Sequence, residues 1–460
     1  MSNSLKKHFL DFRRIRIEYL IFLSAYALSA LSSPMPAVVS PWIIAVGAGL
    51  LVGSLLILKA AVGSGMAESL NAKTTIALFC ILLFGPLYFG ISAGNKFEHI
   101  LRDVIPLFFL FSTAILFLYS ITTGHQKNII RLGALVVIAV GLVRSFDFLI
   151  SAYSRFGSLS VVGANMKGGL LAHMELEQSG SINTPTSPEQ VPQDILPSGH
   201  VPQDILPSGH VPLDILGMYD PAVLFSCIFL CSIGLILIIR SWRDSVAGLG
   251  CLGVGLLVGY ELAMLGLRSY MLVILVSMLI VLWSQLHEEG FYKRLLPLGA
   301  ILFLIFFNQI YDSVQLMFIK QLAVGSNAKL AEWSAVFSTL QTDIGKILFG
   351  IGWGGTFQSP ISDNARFTHS LFSFYILKSG IVGLIVFASL LASLVYKIVS
   401  TKVSDSLSRV ERRVMLVSCI SPLVIGILFE PSYKMLSYGV ILGLLCLTLL
   451  PVTRVSSPNN

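Results

Sequence analysis

The chain has 460 residues, of which 55% are hydrophobic and only 12% are charged. Soluble domains carry about 25% charged residues, so this composition excludes an ordinary water-soluble enzyme. The net charge of +7 is compatible with nucleic-acid binding, but most of the 31 Lys and Arg residues lie in short segments between long apolar runs. That placement is typical of a polytopic membrane protein, and we expect no nucleic-acid partner.

The apolar runs predict an all-α fold with about twelve transmembrane helices, since about 20 helical residues cross roughly 30 Å of hydrocarbon. The positive-inside rule then favours a cytoplasmic location for both termini, because nineteen of the 31 Lys and Arg residues fall on that side. The predicted spans are 18–37, 41–61, 75–94, 103–122, 129–150, 221–240, 245–265, 268–286, 294–312, 370–397, 413–430 and 434–452.

The first predicted span has a competing interpretation. A basic start followed by Ala-rich sequence within residues 1–32 also resembles a secretory signal peptide. Cleavage there would leave an odd number of spans and would remove the charge asymmetry, so we expect an uncleaved first helix.

Two long loops on the outer side interrupt the helices. The first contains the decapeptide VPQDILPSGH at 191–200 and again at 201–210, and a third copy begins at residue 211. A short period rich in Pro, Gly and Ser predicts a flexible spacer. The resulting segments are helices in 1–150, the first loop 151–220, helices in 221–312, the second loop 313–368, and the last helices and tail in 369–460.

The second loop has a different pattern. Residues 327–347 place apolar side chains at spacings of three and four, which predicts an amphipathic helix. We expect this helix to lie at the outer membrane surface or to cap the bundle. The residues that define the pattern are Leu330, Trp333, Phe337, Leu340 and Ile344.

Ionisable residues inside the predicted spans need a physical explanation, because charge in hydrocarbon is costly. Arg144 and Asp147 are three residues apart on one helix and can neutralise each other, although Arg144 can also extend to the interface. Lys378 lies about two turns into its span, so it either pairs with an acid or lines a wet cavity.

Candidate binding residues concentrate at the outer ends of the spans. Arg268 opens a span, where a guanidinium and helix N-terminal amides together favour an anion such as phosphate; the alternative is an interfacial arginine that meets lipid headgroups. Trp353 stands among glycines in LFGIGWGGTF, and its aromatic face suits a sugar ring. His369, beside Arg366, is a candidate general base; the alternative is a helix cap.

No motif for a metal, a nucleotide or a serine nucleophile is present, and we expect no metal and no cofactor.

These motifs together resemble the bacterial O-antigen polymerase and O-antigen ligase superfamily. The matching residues are Gly266-Leu267-Arg268-Ser269, the Gly-x-Gly-Trp run at 350–353, and THSLFSFYILKSGIVGLIVF at 368–387. In the last stretch the family often has Asn after the His and a Glu further on. Here Ser370 follows His369 and no acid precedes Gly380.

The resemblance implies a GT-C-like membrane glycosyltransferase of the bacterial inner membrane, with its active site facing the periplasm. Its donor and acceptor would be undecaprenyl-diphosphate-linked glycans, with membrane lipid and a chain-length regulator protein as further partners. Arg268, Arg366 and Arg144 would bind the diphosphate, Trp353 the sugar, and His369 would deprotonate the acceptor. Two long outer loops favour a polymerase over a ligase that transfers polymer to lipid A-core. A lipid-linked oligosaccharide flippase is a third possibility, since intramembrane charges also occur in transporters.

Overall fold

A computed structural model describes residues 16–31, 41–63, 69–120, 126–156, 217–240, 244–265, 267–284, 311, 314–315, 318, 327–359, 365–401 and 407–451. These residues are almost entirely helical. The α-helices are α1 (Ile17–Leu28), α2 (Pro41–Gly63), α3 (Leu70–Ser92), α4 (Phe97–Ser120), α5 (Gln126–Phe156), α6 (Pro221–Arg240), α7 (Ser245–Met264), α8 (Arg268–Trp283), α9 (Asn327–Leu340), α10 (Ile344–Phe349), α11 (Leu371–Ser400), α12 (Arg409–Leu428) and α13 (Leu436–Leu449).

The membrane character of the chain is confirmed. Within the described ranges, seven helices (α2 to α7 and α11) are long and apolar enough to cross a bilayer, and α1, α8 and α13 are shorter apolar helices. The predicted span 294–312 and the decapeptide repeats lie almost entirely outside the described residues. The number of twelve spans therefore stays a prediction.

Long-range contacts bring helices from both halves of the chain into one bundle. The pairs α1 with α2, α3 with α11, α4 with α13, and α6 with α7 pack closely. α1 contributes buried aromatic side chains to the core, and Tyr26 donates a hydrogen bond to Ser437 Oγ of α13 over 2.8 Å. The first helix is thus an integral part of the packed bundle.

Small residues allow α6 and α7 to approach each other closely. A Cβ atom at Gly234 would lie 2.6 Å from the backbone nitrogen of Leu252, and one at Gly255 would lie 2.7 Å from Cys231 Sγ. Helices in membranes associate through such close packing, because lipid supplies little hydrophobic driving force between them. The contact with α6 therefore explains Gly248 and Gly255 of α7.

The amphipathic segment of the second loop is helical, but its packed face differs from the predicted one. Glu332, Val336 and Leu340 of α9 are buried, whereas Leu330 and Phe337 are 68% and 45% exposed. The helix also ends at Leu340, so the predicted range 327–347 divides into α9 and α10. An apolar side chain of a membrane protein can meet lipid as well as protein, so apolar spacing alone does not identify the inward face.

The helix α11 is kinked, and a glycine-rich loop forms hydrogen bonds to its backbone next to the kink. Gly380 adopts φ +63° inside the helix. The backbone nitrogens of Ile351 and Gly352 donate to the carbonyls of Leu377 and Lys378, over 2.9 and 3.0 Å. Carbonyl groups around the kink are thereby satisfied by the loop, which we call the Gly loop (residues 350–355).

Candidate functional site

The candidate site is built around an extended segment, residues 365–370, that leads into α11. Ser370 caps this helix, because its hydroxyl accepts a hydrogen bond from the backbone nitrogen of Ser373 over 3.1 Å. Tyr433 donates to the carbonyl of Thr368 over 3.0 Å and ties the segment to the 3-10 helix Pro431–Lys434. The side-chain cap is supplied by Ser370, which leaves the His369 ring available for another role.

His369 makes two contacts with one carboxylate. Its backbone nitrogen donates to Glu332 Oε2 over 3.1 Å, and its ring Nδ1 lies 3.1 Å from Glu332 Oε1. The carboxylate side chain is 4% exposed and the imidazole 21% exposed. A carboxylate at Nδ1 favours the tautomer in which Nδ1 carries the proton and Nε2 is free to accept one.

Two cations lie over the ring of Phe367. Lys434 Nζ is 3.3 Å from the ring centroid, and the guanidinium carbon of Arg366 is 5.1 Å from it. Phe367 in turn stacks on Phe374 of α11, with 5.6 Å between the centroids. Partial burial lowers the pKa of the Arg366 guanidinium, and the nearby charge of Asp103 opposes this effect. We call Arg366, Phe367 and Lys434 the Phe367 clamp.

Lys378 pairs with an acid, which was one of its two predicted environments. Its Nζ lies 2.8 Å from Asp103 Oδ2 of α4, and both side chains are fully buried. It also donates to the carbonyl of Gly355 over 2.6 Å, while Asp103 Oδ2 accepts from the Gly354 nitrogen over 2.7 Å. This ion pair therefore joins α4, α11 and the Gly loop.

The predicted sugar-binding role of Trp353 is not supported by its environment. The side chain is 0% exposed and stacks on Phe374. Its Nε1 donates to the carbonyl of Leu83 over 2.7 Å, and its backbone nitrogen donates to the carbonyl of Pro86. With its indole enclosed between α3 and α11, Trp353 anchors the Gly loop and presents no surface to a sugar.

Arg144 is also engaged inside the protein. It lies 3.8 Å from Asp220 Oδ2 at the start of α6 and donates to the carbonyl of Ser29 over 3.0 Å. Both charged side chains are nearly fully buried, whereas Asp147, the partner predicted from its spacing, is exposed. The observed contacts connect α5 to the segment after α1 and to the start of α6, so Arg144 is engaged in contacts within the bundle.

Arg268 occupies the predicted position at the first residue of α8. It lies within electrostatic range of Glu430, which precedes the 3-10 helix Pro431–Lys434. Lys434 at the other end of that short helix reaches the Phe367 clamp. Arg268 and Arg366 therefore lie beside opposite ends of the same connecting segment.

Three residues of this region were not among the predicted site residues: Glu332, Lys434 and Asp103. Glu332 was hidden within an amphipathic pattern that was assigned by its apolar members only. Glu332 lies on the same face of α9 as Val336 and Leu340, and this spacing could have indicated a buried acid. The buried face must be known first, however, and the structure identifies it. Asp103 and Lys434 are the first residues of the predicted spans 103–122 and 434–452, where charged residues are common and carry little information.

Comparisons with protein-family models, curated proteins and solved structures find no match for this chain. A histidine with an oriented imidazole lies on the segment that also carries Arg366 and Phe367 of the clamp. Such an arrangement can remove a proton from a hydroxyl group and stabilise an anionic leaving group nearby.

Proposed function

We propose that this protein is an O-antigen polymerase, an inverting glycosyltransferase that acts on undecaprenyl-diphosphate-linked glycans. The observation that carries the proposal is the contact of His369 with Glu332 beside the cations of the Phe367 clamp. The resemblance of residues 368–387 to the polymerase and ligase superfamily supplies the substrate class.

The proposed reaction is a single displacement. The acceptor hydroxyl loses its proton to His369 Nε2 as its oxygen attacks the anomeric carbon of the donor. A new C–O bond forms, the bond to the diphosphate oxygen breaks with its electron pair, and the configuration inverts. Glu332 keeps Nδ1 protonated and stabilises the imidazolium that results.

The leaving diphosphate requires fixed positive charge. Arg366 is the predicted arginine closest to the candidate base, and Arg268 lies at the far end of the segment Pro431–Lys434. Electrostatic stabilisation of developing charge in a partly dry site is a major part of many enzymes' rate enhancement. No step of the proposed reaction requires protein-bound metal.

The proposed setting is the bacterial inner membrane, with twelve spans in a GT-C-like arrangement and the site facing the periplasm. The charge asymmetry of the sequence and the common location of Arg366, His369 and Arg268 at predicted outer ends support this orientation. Lipid-linked donor and acceptor, surrounding lipid and a chain-length regulator protein are the proposed partners.

Deletion of the gene followed by lipopolysaccharide gels tests the proposal. One repeat unit on the core is the expected phenotype. Bare core with lipid-linked polymer still present would instead indicate a ligase. Accumulation of lipid-linked units on the cytoplasmic face would indicate a flippase.

Variants of the base test the mechanism in membranes with matched protein levels. We expect His369→Gln to lower the polymerisation rate by about 10²- to 10⁴-fold, because glutamine can form hydrogen bonds but cannot accept the proton. Glu332→Gln should lower it less, because the amide oxygen can still accept a hydrogen bond from Nδ1. His200→Gln, in the first copy of the decapeptide repeat, is the control and should be active. Near-normal polymer from His369→Gln would assign the base elsewhere.

Variants of Arg268 test its contribution separately. Arg268→Lys keeps the charge but loses the fork that binds two phosphate oxygens, so activity should fall. Arg268→Ala should fall further, by about ten- to a hundredfold, because a charge-assisted contact is lost. Full activity of both variants would assign Arg268 to lipid headgroups.

A further inference from the structure

The Phe367 clamp holds two positive charges on one aromatic ring. Lys434 and Arg366 both approach the Phe367 ring, although ammonium and guanidinium groups repel each other at short range. The ring compensates part of this repulsion through its negative face. It leaves N–H donors of both cations available for a further partner.

Nearby carboxylates are already engaged by other groups. Burial lowers the pKa of the Lys434 ammonium, and the charges of Asp103 and Glu332 oppose this effect only from a distance, because the first pairs with Lys378 and the second contacts His369. Within the described ranges, neither Arg366 nor Lys434 has a carboxylate at ion-pair distance. Nη1 of Arg366 is buried and has no hydrogen-bond partner there. Among the described residues, no carboxylate therefore neutralises Arg366 or Lys434 directly.

The two cations are held in a fixed relation to each other. Lys434 ends the 3-10 helix Pro431–Lys434, whose neighbouring residue Tyr433 is buried and donates to the carbonyl of Thr368. Thr368 is two residues from Arg366 on the same extended segment. This hydrogen bond therefore fastens the connection between α12 and α13 to the start of α11.

We propose that Lys434 acts together with Arg366 to bind the diphosphate group of the lipid-linked substrate beside the ring of Phe367. This inference rests on the proposed function, since that function supplies a diphosphate. It adds a cation from the connection between the last two helices to the binding site. Two cations on one ring match a ligand with two adjacent phosphate groups better than a ligand with one.

The test is lipid binding by the full-length protein in neutral detergent. The probes are a polyprenyl diphosphate, the matching polyprenyl monophosphate and phosphatidylglycerol, each titrated by microscale thermophoresis. We expect Lys434→Gln to weaken diphosphate binding about ten- to a hundredfold and monophosphate binding less. Lys434→Arg should restore most of the affinity. Lys96→Gln, which removes an exposed lysine near the start of α4, should bind like the wild type.

The outcomes separate this inference from the proposed function. Diphosphate affinity that depends on Lys434 in a protein that makes no polymer would support the clamp and reject the polymerase. Unchanged diphosphate affinity in Lys434→Gln, with polymer synthesis still dependent on His369, would overturn the proposed role of Lys434. The proposed polymerase function would then be unaffected. Equal dependence of all three lipids on Lys434 would also overturn the proposed role of Lys434, since the clamp would then hold any phosphate headgroup. A melting temperature matched to the wild type for Lys434→Arg keeps the comparison free of folding effects.

Discussion

Nζ of Lys378 lies 2.8 Å from Oδ2 of Asp103, and both side chains are fully buried. The pair connects the third turn of α11 to the second turn of α4, two elements that are distant in the chain. Through Gly354 and Gly355 it also fixes the Gly loop. It thereby holds the part of α11 around Lys378, which lies between two and three turns after His369, in a fixed position.

Removal of one member of this pair should destabilise the protein strongly. Lys378→Met leaves the Asp103 carboxylate buried without its cation, and such a change costs about 3–5 kcal/mol. The double variant Asp103→Leu with Lys378→Met should be milder, because no buried charge remains. Unfolding in detergent measures both, and Arg102→Gln, which breaks an exposed pair with Glu98, is the control with a small effect. Equal losses in the single and double variants would contradict this account.

Gly380→Ala should lower stability because α11 kinks at this residue. The backbone has φ +63°, and a Cβ atom would lie 2.5 Å from the carbonyl carbon of Leu348. This conformation, with ψ −162°, is essentially restricted to glycine and costs about 1–3 kcal/mol for a residue with a Cβ atom, and the contact with α10 adds to it. Gly250→Ala in α7, where a Cβ atom meets nothing within 4 Å, is the control. Its melting temperature should stay the same or rise. A similar rise for Gly380→Ala would show that the kink is not required.

Arg144→Ala distinguishes a structural from a substrate-binding arginine. We expect a loss of about 3–5 kcal/mol in the free energy of unfolding, since Asp220 would remain buried without its partner. The double variant Arg144→Ala with Asp220→Ala should recover part of that loss. A stable Arg144→Ala protein that fails to bind a polyprenyl diphosphate would instead restore the predicted diphosphate role.

The orientation of the chain can be measured independently of activity. Single cysteines at Ser198 and Ser404 in a cysteine-free background should label oppositely with an impermeant thiol reagent, because the charge asymmetry places these residues on opposite sides. Ser198 should react from the periplasm and Ser404 only after permeabilisation. Equal periplasmic labelling of both would contradict the twelve-span arrangement.

The decapeptide repeat should tolerate shortening. Deletion of residues 201–210 removes one of two identical copies, and a spacer changes little in reach when one unit is lost. Polymer length and amount on lipopolysaccharide gels should remain close to those of the wild type. Complete loss of polymer at matched protein level would assign a mechanistic role to the loop.

The sequence by itself determined the features that depend on local composition. About 20 consecutive apolar residues are sufficient to indicate a membrane helix, and most predicted spans coincide with helices of the described structure. The start of α11 after His369 was predictable for the same reason, since a Thr-His-Ser segment precedes a long apolar run. The depth of Lys378 in its span predicted either an acid partner or a wet cavity, and the structure shows the acid partner.

Only the tertiary structure decided which residues meet. Glu332 reaches His369 from 37 positions upstream, Asp103 reaches Lys378, and Asp220 rather than the nearby Asp147 was found against Arg144. These contacts join elements far apart in the chain, and no spacing rule within one helix encodes them. Trp353 shows the same principle, because its burial depends on where α3 and α11 pack around it. In a membrane protein an apolar residue satisfies its environment against lipid or protein, so the direction in which it faces is a property of the assembled bundle.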